Sequence, residues 1–436
     1  MYFSIFIFSK FEVMKKIFFL LLVYCHHSYA QNNCDNKHLP IIFMHGFMAS
    51  GDTYTKQIQR FKERMYCSDR LFVFDWNSVG GNGKKTDSTL NVFINEVLAK
   101  TGASQIDLVG HSAGGGLGRG YLIDSVNAAK VAHYIHLGSR KWFYEYSWFP
   151  NRKCLNIYSD ADKIMGSMGG DVEGAINLKL KDKDHYEVAT SMETFQAIYR
   201  FLNDNNTATD TYAIFETIKI GGKAVLLGDN KPLINAKVNI YRLNEKTGLR
   251  LSQKPDAAFI TGTQGTWGTF AASRKHYYEI ELIPEDITER TISYFFEPFQ
   301  DPDELVYLRG IPKANMISAM LGKIPSSNDQ SLIIIYSANK AMIAGRDSVT
   351  VNGTPITSLL LTPASRTVIS SFIFDEGDNK TSGNALKQFS ISPFLGGVDI
   401  SLPVNTKNGH VLFYNGRKLV LPAVSSKQRI LLAVFK

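Results

Sequence analysis

A serine stands between glycines at Gly110-His111-Ser112-Ala113-Gly114, directly after the apolar run 106–109 and ahead of a helical pattern near Leu117. Glycines flanking a serine let a strand turn into a helix so tightly that the hydroxyl is presented at the top of a sheet as a nucleophile. A bare Gly-x-Ser-x-Gly arises often by chance. The strand before it and the helix after it give it weight against the alternative, a close-packed turn without chemistry. A serine nucleophile needs a base to take its proton, an acid to orient that base, and N–H donors for the oxyanion.

In a strand–turn–helix setting the acid and base follow the serine in the order Asp or Glu, then His. Asp162 lies just after the apolar run 155–158, within Ser159-Asp160-Ala161-Asp162-Lys163-Ile164-Met165. Asp160 competes for the role; the apolar Ile164-Met165 pair, which would anchor the loop, favours Asp162. His185 follows the run 176–180 and precedes a final helix, so a loop can deliver its imidazole to Ser112. His133 and His136 fall inside a strand run and read as structural, and His111 is fixed beside the serine. His45-Gly46-Phe47-Met48 closes the first apolar run. The backbone N–H groups of Phe47 and Ala113 are the expected oxyanion donors, with His45 shaping the loop and Gly46 letting the backbone come close to a substrate. Between 139 and 150 six aromatics crowd a short stretch. Of these, Trp142, Phe143 and Trp148 are candidate substrate-binding residues that would line an acyl pocket or dip into a lipid surface. The alternative is a hydrophobic plug against the C-terminal half.

The elements that must position these residues alternate along the first half. Strand-like runs at 39–44, 71–74, 106–109, 131–137, 155–158 and 176–180 are separated by helical stretches near 53–65, 90–100 and 117–127. A last helix opens at Thr190-x-x-Glu193, a capping-box pattern, and runs to about 203. Alternation of this kind predicts an α/β fold, a mostly parallel sheet with helices on both faces, over 31–207. The polar stretch 203–210 marks a boundary. Beyond it, short alternating runs such as 237–241 and 278–282, separated by Gly, Asn, Asp and Pro turns, predict an antiparallel sandwich over 211–295. The runs 332–336, 368–374, 411–414 and 430–435 continue in the same style, so one or two all-β sandwich or barrel domains are expected, the second, if separate, over 296–436 with a border near residue 295.

Composition excludes several classes. The net charge of +8 over 436 residues is modest, and the cations are scattered without a basic run, which argues against nucleic acid as a partner. Lys15 and Lys16, the apolar run 17–24 and Ser28-Tyr29-Ala30 read as a signal peptide over 1–30, with Met14 as an alternative start. That run is too short to span a bilayer, so an exported protein, not an integral membrane one, is expected. Export permits disulfides; Cys34 and Cys67 precede the first two core strands and could pair, although sequence does not decide it. Cys154 opens a strand and reads as a buried thiol. Asp375-Glu-Gly-Asp-Asn379 lacks the ligand periodicity of a calcium loop and reads as an acidic turn. No cofactor is expected, and a stabilising calcium is unsupported.

The spacing from Ser112 to Asp162 (162 − 112 = 50) and on to His185 (185 − 162 = 23) resembles that of small bacterial extracellular lipases. So do the strand ending in His-Gly-Phe, the Gly-His-Ser elbow and the Ser-x-Ala-Asp before Ile. This resemblance covers about 38–203. The whole chain is similar to archaeal and bacterial lipases of the α/β-hydrolase superfamily that carry a C-terminal β-domain; Gly248, Pro255, Phe259 and Gly265-Thr-Trp-Gly268 carry that looser likeness. The resemblance implies ester or lipid substrates with acyl chains, with a lipid–water interface as a candidate setting and the region 296–436 as a candidate for acyl-chain or lipid contact. It also leaves room for a polyester depolymerase, a thioesterase, or a surface-binding module with a relic hydrolase domain, since acyl-enzyme chemistry is shared across the fold.

Overall fold

The computed structural model describes residues 34, 37–80, 83–204, 206, 215, 217–314, 316–406 and 408–436. The expected targeting segment and most of the expected boundary stretch lie outside them.

Six strands, β1 (Ile41–Met44), β2 (Leu71–Phe74), β3 (Ile106–His111), β4 (Val131–Leu137), β5 (Cys154–Ser159) and β6 (Ile176–Leu180), form one sheet in the order β2-β1-β3-β4-β5-β6. Every pairing in it is parallel. Parallel strands need crossovers, here α1 (Thr55–Glu63), α2 (Gly83–Thr101) and α3 (Ala113–Tyr121) with the short α4 (Ser125–Ala128); α5 (Glu187–Thr190) and α6 (Met192–Leu202) close the layer. Alternate strand residues face opposite layers. Ile41, Phe43, Ile135, Leu137, Leu155 and Ile157 pack with Ile58 and Phe61 of α1 and Phe195 and Ile198 of α6. Ile42, Met44, Ile106, Leu108, Val131 and Tyr134 pack with Leu90, Ile94 and Val97 of α2. A sheet apolar on both faces explains why its strands read as unbroken apolar runs.

The helix expected over 117–127 begins earlier and breaks into α3 and α4, with Asp124 capping the latter through Val126 and Asn127. The last helix is capped by Ser191, whose hydroxyl accepts from the Thr194 amide, one residue after the expected Thr190. The Thr190 hydroxyl instead donates to the Asn339 carbonyl of the C-terminal half.

That half is built from β7 (Ile218–Leu226), β8 (Lys237–Leu243), β9 (Ala257–Ile260), β10 (Thr266–Ala272), β11 (Tyr277–Ile283), β12 (Thr291–Phe296), β13 (Asp303–Gly310), the helix α7 (Met316–Leu321), β14 (Ile333–Ser337), β15 (Val349–Val351), β16 (Thr354–Pro355), β17 (Ser370–Phe374), β18 (Leu395–Asp399), β19 (His410–Tyr414), β20 (Arg417–Leu421) and β21 (Arg429–Phe435). Eight of the strands form the central sheet β18-β17-β14-β21-β12-β11-β8-β9, flanked by the sheets β10-β7-β13 and β16-β15-β19-β20. Alternation sorts the central strands. Ile292, Tyr294, Ile334 and Val434 face the layer holding Ile220 and Leu308, whereas Phe295, Ile333, Ile335 and Ala433 face the layer holding Val351 and Leu412.

Two expectations are corrected here. The sandwich is not purely antiparallel, because β21 pairs in parallel with both β12 and β14. The border near residue 295 falls inside β12, in the middle of the central sheet. The C-terminal strand inserts between strands of the two expected domains and welds them, a long-range pairing that local patterns do not encode.

Cys34 and Cys67 are disulfide-bonded with Cα atoms 4.9 Å apart, and Cys154 is a buried free thiol. No helix among the described residues is long and apolar enough to cross a membrane.

Candidate active site

Ser112 joins β3 to α3 with φ 53° and ψ −119°, a backbone conformation that costs energy for a side-chain-bearing residue. Its surroundings impose the turn. A Cβ on Gly110 would lie 2.4 Å from the Gly114 carbonyl oxygen, and one on Gly114 would lie 2.4 Å from that of Met44. Larger residues at either position would push β1, β3 and α3 apart. The Ser112 amide donates to the Leu137 carbonyl at 2.9 Å, and the Ser139 hydroxyl donates to the Ser112 carbonyl at 2.7 Å. The serine is thus held from β4 as well as by its own turn.

Asp162 and His185 come together in the loops after β5 and β6. His185 Nδ1 lies 2.7 Å from Asp162 Oδ2, with both side chains buried. The other carboxylate oxygen accepts the Ile164 and Met165 amides, each at 3.0 Å. Burial raises the Asp162 carboxyl, but the His185 hydrogen bond and charge with the Met165 amide outweigh it, leaving the group below the ordinary carboxylate value. A carboxylate so placed fixes Nδ1 as the protonated ring nitrogen and leaves Nε2 to accept. Asp160 is half-exposed, facing Lys179 at 3.5 Å, and makes no contact with His185. Between the two aspartates, the geometry selects Asp162.

Ser112 and His185 border one small cavity of about 30 Å³, together with Gly46, Phe47, His111 and Tyr186. Ser112 Oγ makes no hydrogen bond to His185 among the described contacts, a spacing that catalytic pairs often tighten only with substrate bound. His111 Nε2 lies 2.8 Å from the His185 carbonyl oxygen and so secures the backbone of His185. Burial, then the neighbouring charge of His185, pushes the His111 imidazole down to about 3, which keeps it neutral. His133 faces Asp107 at 2.8 Å, and His136 lies between the Tyr134 hydroxyl and the Arg140 carbonyl. Both belong to the framework.

The loop carrying Phe47 approaches the serine closely: a Cβ on Gly46 would be 3.1 Å from Ser112 Cβ. Ala113 opens α3, where first-turn N–H groups lack intrahelical partners. His45 is fully buried, and burial lowers its pKa despite the nearby Asp75 charge. The neutral ring donates from Nδ1 to the Gly46 carbonyl at 2.8 Å and accepts the Trp76 amide at Nε2 at 3.2 Å.

The remaining walls come from residues that sequence reasoning did not single out. Thr367, Ile369 and Phe394, from the C-terminal half, line the Ser112 cavity. A larger cavity of about 120 Å³ shares Phe47, Ala49, Tyr186, Ile369 and Phe394 with it and runs between the two halves of the molecule. Its wall is mostly apolar and includes Ile334, Phe372, Leu395 and Val434; Arg309 and Asp52, 2.5 Å apart, add an ion pair.

The aromatic stretch 142–149 lines neither cavity, which corrects the expectation that it lines an acyl pocket there. Trp142 is 5% exposed in the core beside α3, whereas Phe143 (82%) and Trp148 (48%) face outward. The Arg119 guanidinium of α3 organises the stretch, standing 4.7 Å from the Trp142 ring centre, 5.0 Å from Tyr144 and 3.8 Å from Tyr146. The stretch therefore packs on its own domain and not against the C-terminal half. Asp375 follows β17, and the Asn379 side chain accepts from Gln330. Among the described residues no group of three or more His, Cys, Asp or Glu side chains is placed to hold a metal ion.

Residues 40–156 match the family model of the alpha/beta hydrolase fold, and residues 216–311 match that of the lipase C-terminal domain. Among solved structures, the chain is similar to a carboxylesterase of the thaumarchaeon Nitrososphaera gargenis at 12% identity and TM-score 0.29, over 39% of this chain and 91% of that one. A mature lipase of Bacillus licheniformis aligns at 15% identity and TM-score 0.32, over 39% and 94%. A carboxylesterase of Bacillus subtilis aligns at 11% identity and TM-score 0.29, over 39% and 85%. Likeness this partial says nothing about activity, and the two family models with the six-stranded parallel sheet carry the assignment. The first half of the chain is thus similar to the α/β-hydrolase fold over residues 40–156, and the β-rich half is similar to the lipase C-terminal domain over residues 216–311.

Proposed function

We propose that this protein is an exported serine carboxylic-ester hydrolase that forms an acyl-enzyme on Ser112. One observation carries the reading. The strained serine at the strand–helix turn and His185, paired with the buried Asp162, border one cavity, which shares a wall with an apolar space between the domains. His185 takes the Ser112 proton as the hydroxyl attacks the ester carbonyl, and Asp162 holds the imidazole tautomer and stabilises the imidazolium. The Phe47 and Ala113 amides receive the tetrahedral oxyanion. His185 returns the proton to the leaving alcohol, and water releases the acyl group by the reverse sequence.

An apolar space adjoining the Ser112 cavity favours an acyl chain over a small acetyl group, because each buried methylene contributes about 0.8 kcal/mol. Export is supported by the N-terminal sequence pattern and by the Cys34–Cys67 disulfide. Hydrolysis of a nitrophenyl ester series from acetyl to palmitoyl, by the mature protein and by Ser112→Ala, tests the reading. The expected result is turnover with an optimum beyond acetyl, and loss of about 10⁴-fold or more in the variant. Comparable activity in both proteins would remove Ser112 from the mechanism.

A further inference from the structure

One contact across the two halves reaches the loop that faces Ser112. Asn230 sits in the turn after β7, inside the region matching the lipase C-terminal domain, with φ 56°. Asparagine tolerates this left-handed conformation better than most residues. Its side chain leaves its own domain and is buried against residues 45–50 and Trp76. The amide nitrogen lies 3.1 Å from His45 Nε2, 2.9 Å from the Ala49 carbonyl and 3.0 Å from the Trp76 carbonyl, and the amide oxygen accepts the Ser50 hydroxyl at 2.5 Å. Carboxamide geometry is needed here, since the two N–H groups at one end donate to the Ala49 and Trp76 carbonyls while the oxygen at the other accepts, with His45 Nε2 in contact beside them.

These partners bracket Phe47. His45, held at Nε2 by the Trp76 amide, whose residue's carbonyl accepts from Asn230, holds the Gly46 carbonyl through Nδ1, and the Ala49 amide donates to that same carbonyl at 3.3 Å. The Met48 amide is occupied by the Ser78 hydroxyl at 2.9 Å. The Phe47 peptide is therefore suspended between anchored neighbours on the wall of the Ser112 cavity. Hydrogen bonds buried in a low-dielectric site hold such a loop firmly, and leaving one partner unmade frees it to shift.

We infer that Asn230 is a positioning residue for catalysis, a strut from the C-terminal domain that holds the Phe47 N–H where the oxyanion forms. The inference rests on the ester-hydrolase reading. It makes the C-terminal domain part of the rate-determining geometry for every acyl length, in addition to walling the acyl space. A displacement near 1 Å at such a donor can cost about 10²-fold in rate.

The test compares full-length wild type with Asn230→Gly, which keeps the left-handed backbone, and Asn230→Asp, which keeps the shape but cannot donate from its carboxylate. Each is measured on acetyl and decanoyl nitrophenyl esters at a temperature well below its unfolding midpoint. The account expects kcat to fall roughly 10- to 100-fold by the same factor on both esters, with KM within about twofold. The rate of Ser112 phosphonylation by a nitrophenyl alkylphosphonate, which develops the same oxyanion, should fall in parallel. A purely structural tie would lower the unfolding midpoint while leaving kcat per folded molecule unchanged, and that result in either variant that folds overturns the inference. Ser50→Ala, which removes one contact to the strut, should show a smaller kcat loss of the same kind; an unchanged kcat there, with both Asn230 variants unfolded, also overturns it. A wild type inactive on both esters would instead overturn the ester-hydrolase reading and this inference with it, so the two failures are distinguishable.

Discussion

Ser112 and the walls around it are held by opposite kinds of structure. The serine is fixed by neighbours close in sequence: Gly110 and Gly114 allow the turn, and β1 and β4 press against it. Part of the cavity wall comes from residues 255 to 282 positions away (367 − 112 and 394 − 112), Thr367, Ile369 and Phe394, and the loop carrying Phe47 is tied to Asn230 through the Ala49 carbonyl and the Ser50 hydroxyl. A second brace serves the other loop. Asp184, immediately before His185, accepts from the Ala341 amide and from Arg346, each at 3.0 Å. Ser112 is held by a local device, and its surroundings by a tertiary one. Replacing a residue of the first kind should remove chemistry; replacing one of the second should shift specificity, geometry or stability.

The sharpest break of that contrast is Asp162→Asn. Losing the carboxylate that sets the His185 tautomer should lower kcat by about 10⁴-fold with the fold intact, measured by steady-state kinetics and circular dichroism. The same variant has a pH signature. The Asp162 carboxyl is depressed in the folded state, so its contribution to stability is complete above the ordinary carboxylate value. That contribution is lost as pH falls through the depressed folded value. Asp162→Asn should therefore flatten the acid limb of a stability–pH curve measured by urea titration.

Phe394→Ala should act on the other side of the comparison. Removing a ring from the wall shared by both cavities should raise KM for a decanoyl ester roughly 10- to 100-fold, while the acetyl ester changes by less than about threefold. Equal effects on both esters would mean that the chain does not run past Phe394. Arg346→Ala comes next, since the guanidinium bridges Asp184, Glu187 and Asp347. Breaking a partly buried network should cost about 2 kcal/mol in denaturant titration, with kcat reduced less than tenfold. Smallest of all is Cys154→Ala. Burial pushes this thiol up to about 12, so it should resist thiol reagents until unfolding, and its replacement should leave kcat within about twofold.

The same division governs what the sequence discloses. The parallel strands were legible because each is apolar on both sides and bounded by turn residues, and the elbow because its glycines are a steric necessity. Asp162 could be preferred over Asp160 because the residues after it, Ile164 and Met165, do anchor the loop, although by their amides and not by their side chains. The role of the aromatics 142–149 was not legible, because the force organising them is a guanidinium on a helix more than twenty residues earlier. Asn230 looks like any turn asparagine, since nothing local shows that its amide is buried in another domain. The weld of the central sheet by β21 was hidden for the same reason: parallel pairing between strands well over a hundred residues apart, β12 and β21, leaves no local signature.

The most direct test of the account is covalent trapping of Ser112 by nitrophenyl alkylphosphonates of increasing chain length, read by intact mass and peptide mapping. The account predicts one adduct, on the peptide containing Ser112, forming faster as the chain lengthens from methyl to decyl. An adduct elsewhere, no adduct at all, or a rate indifferent to chain length would contradict a serine nucleophile serving an acyl space between the two halves.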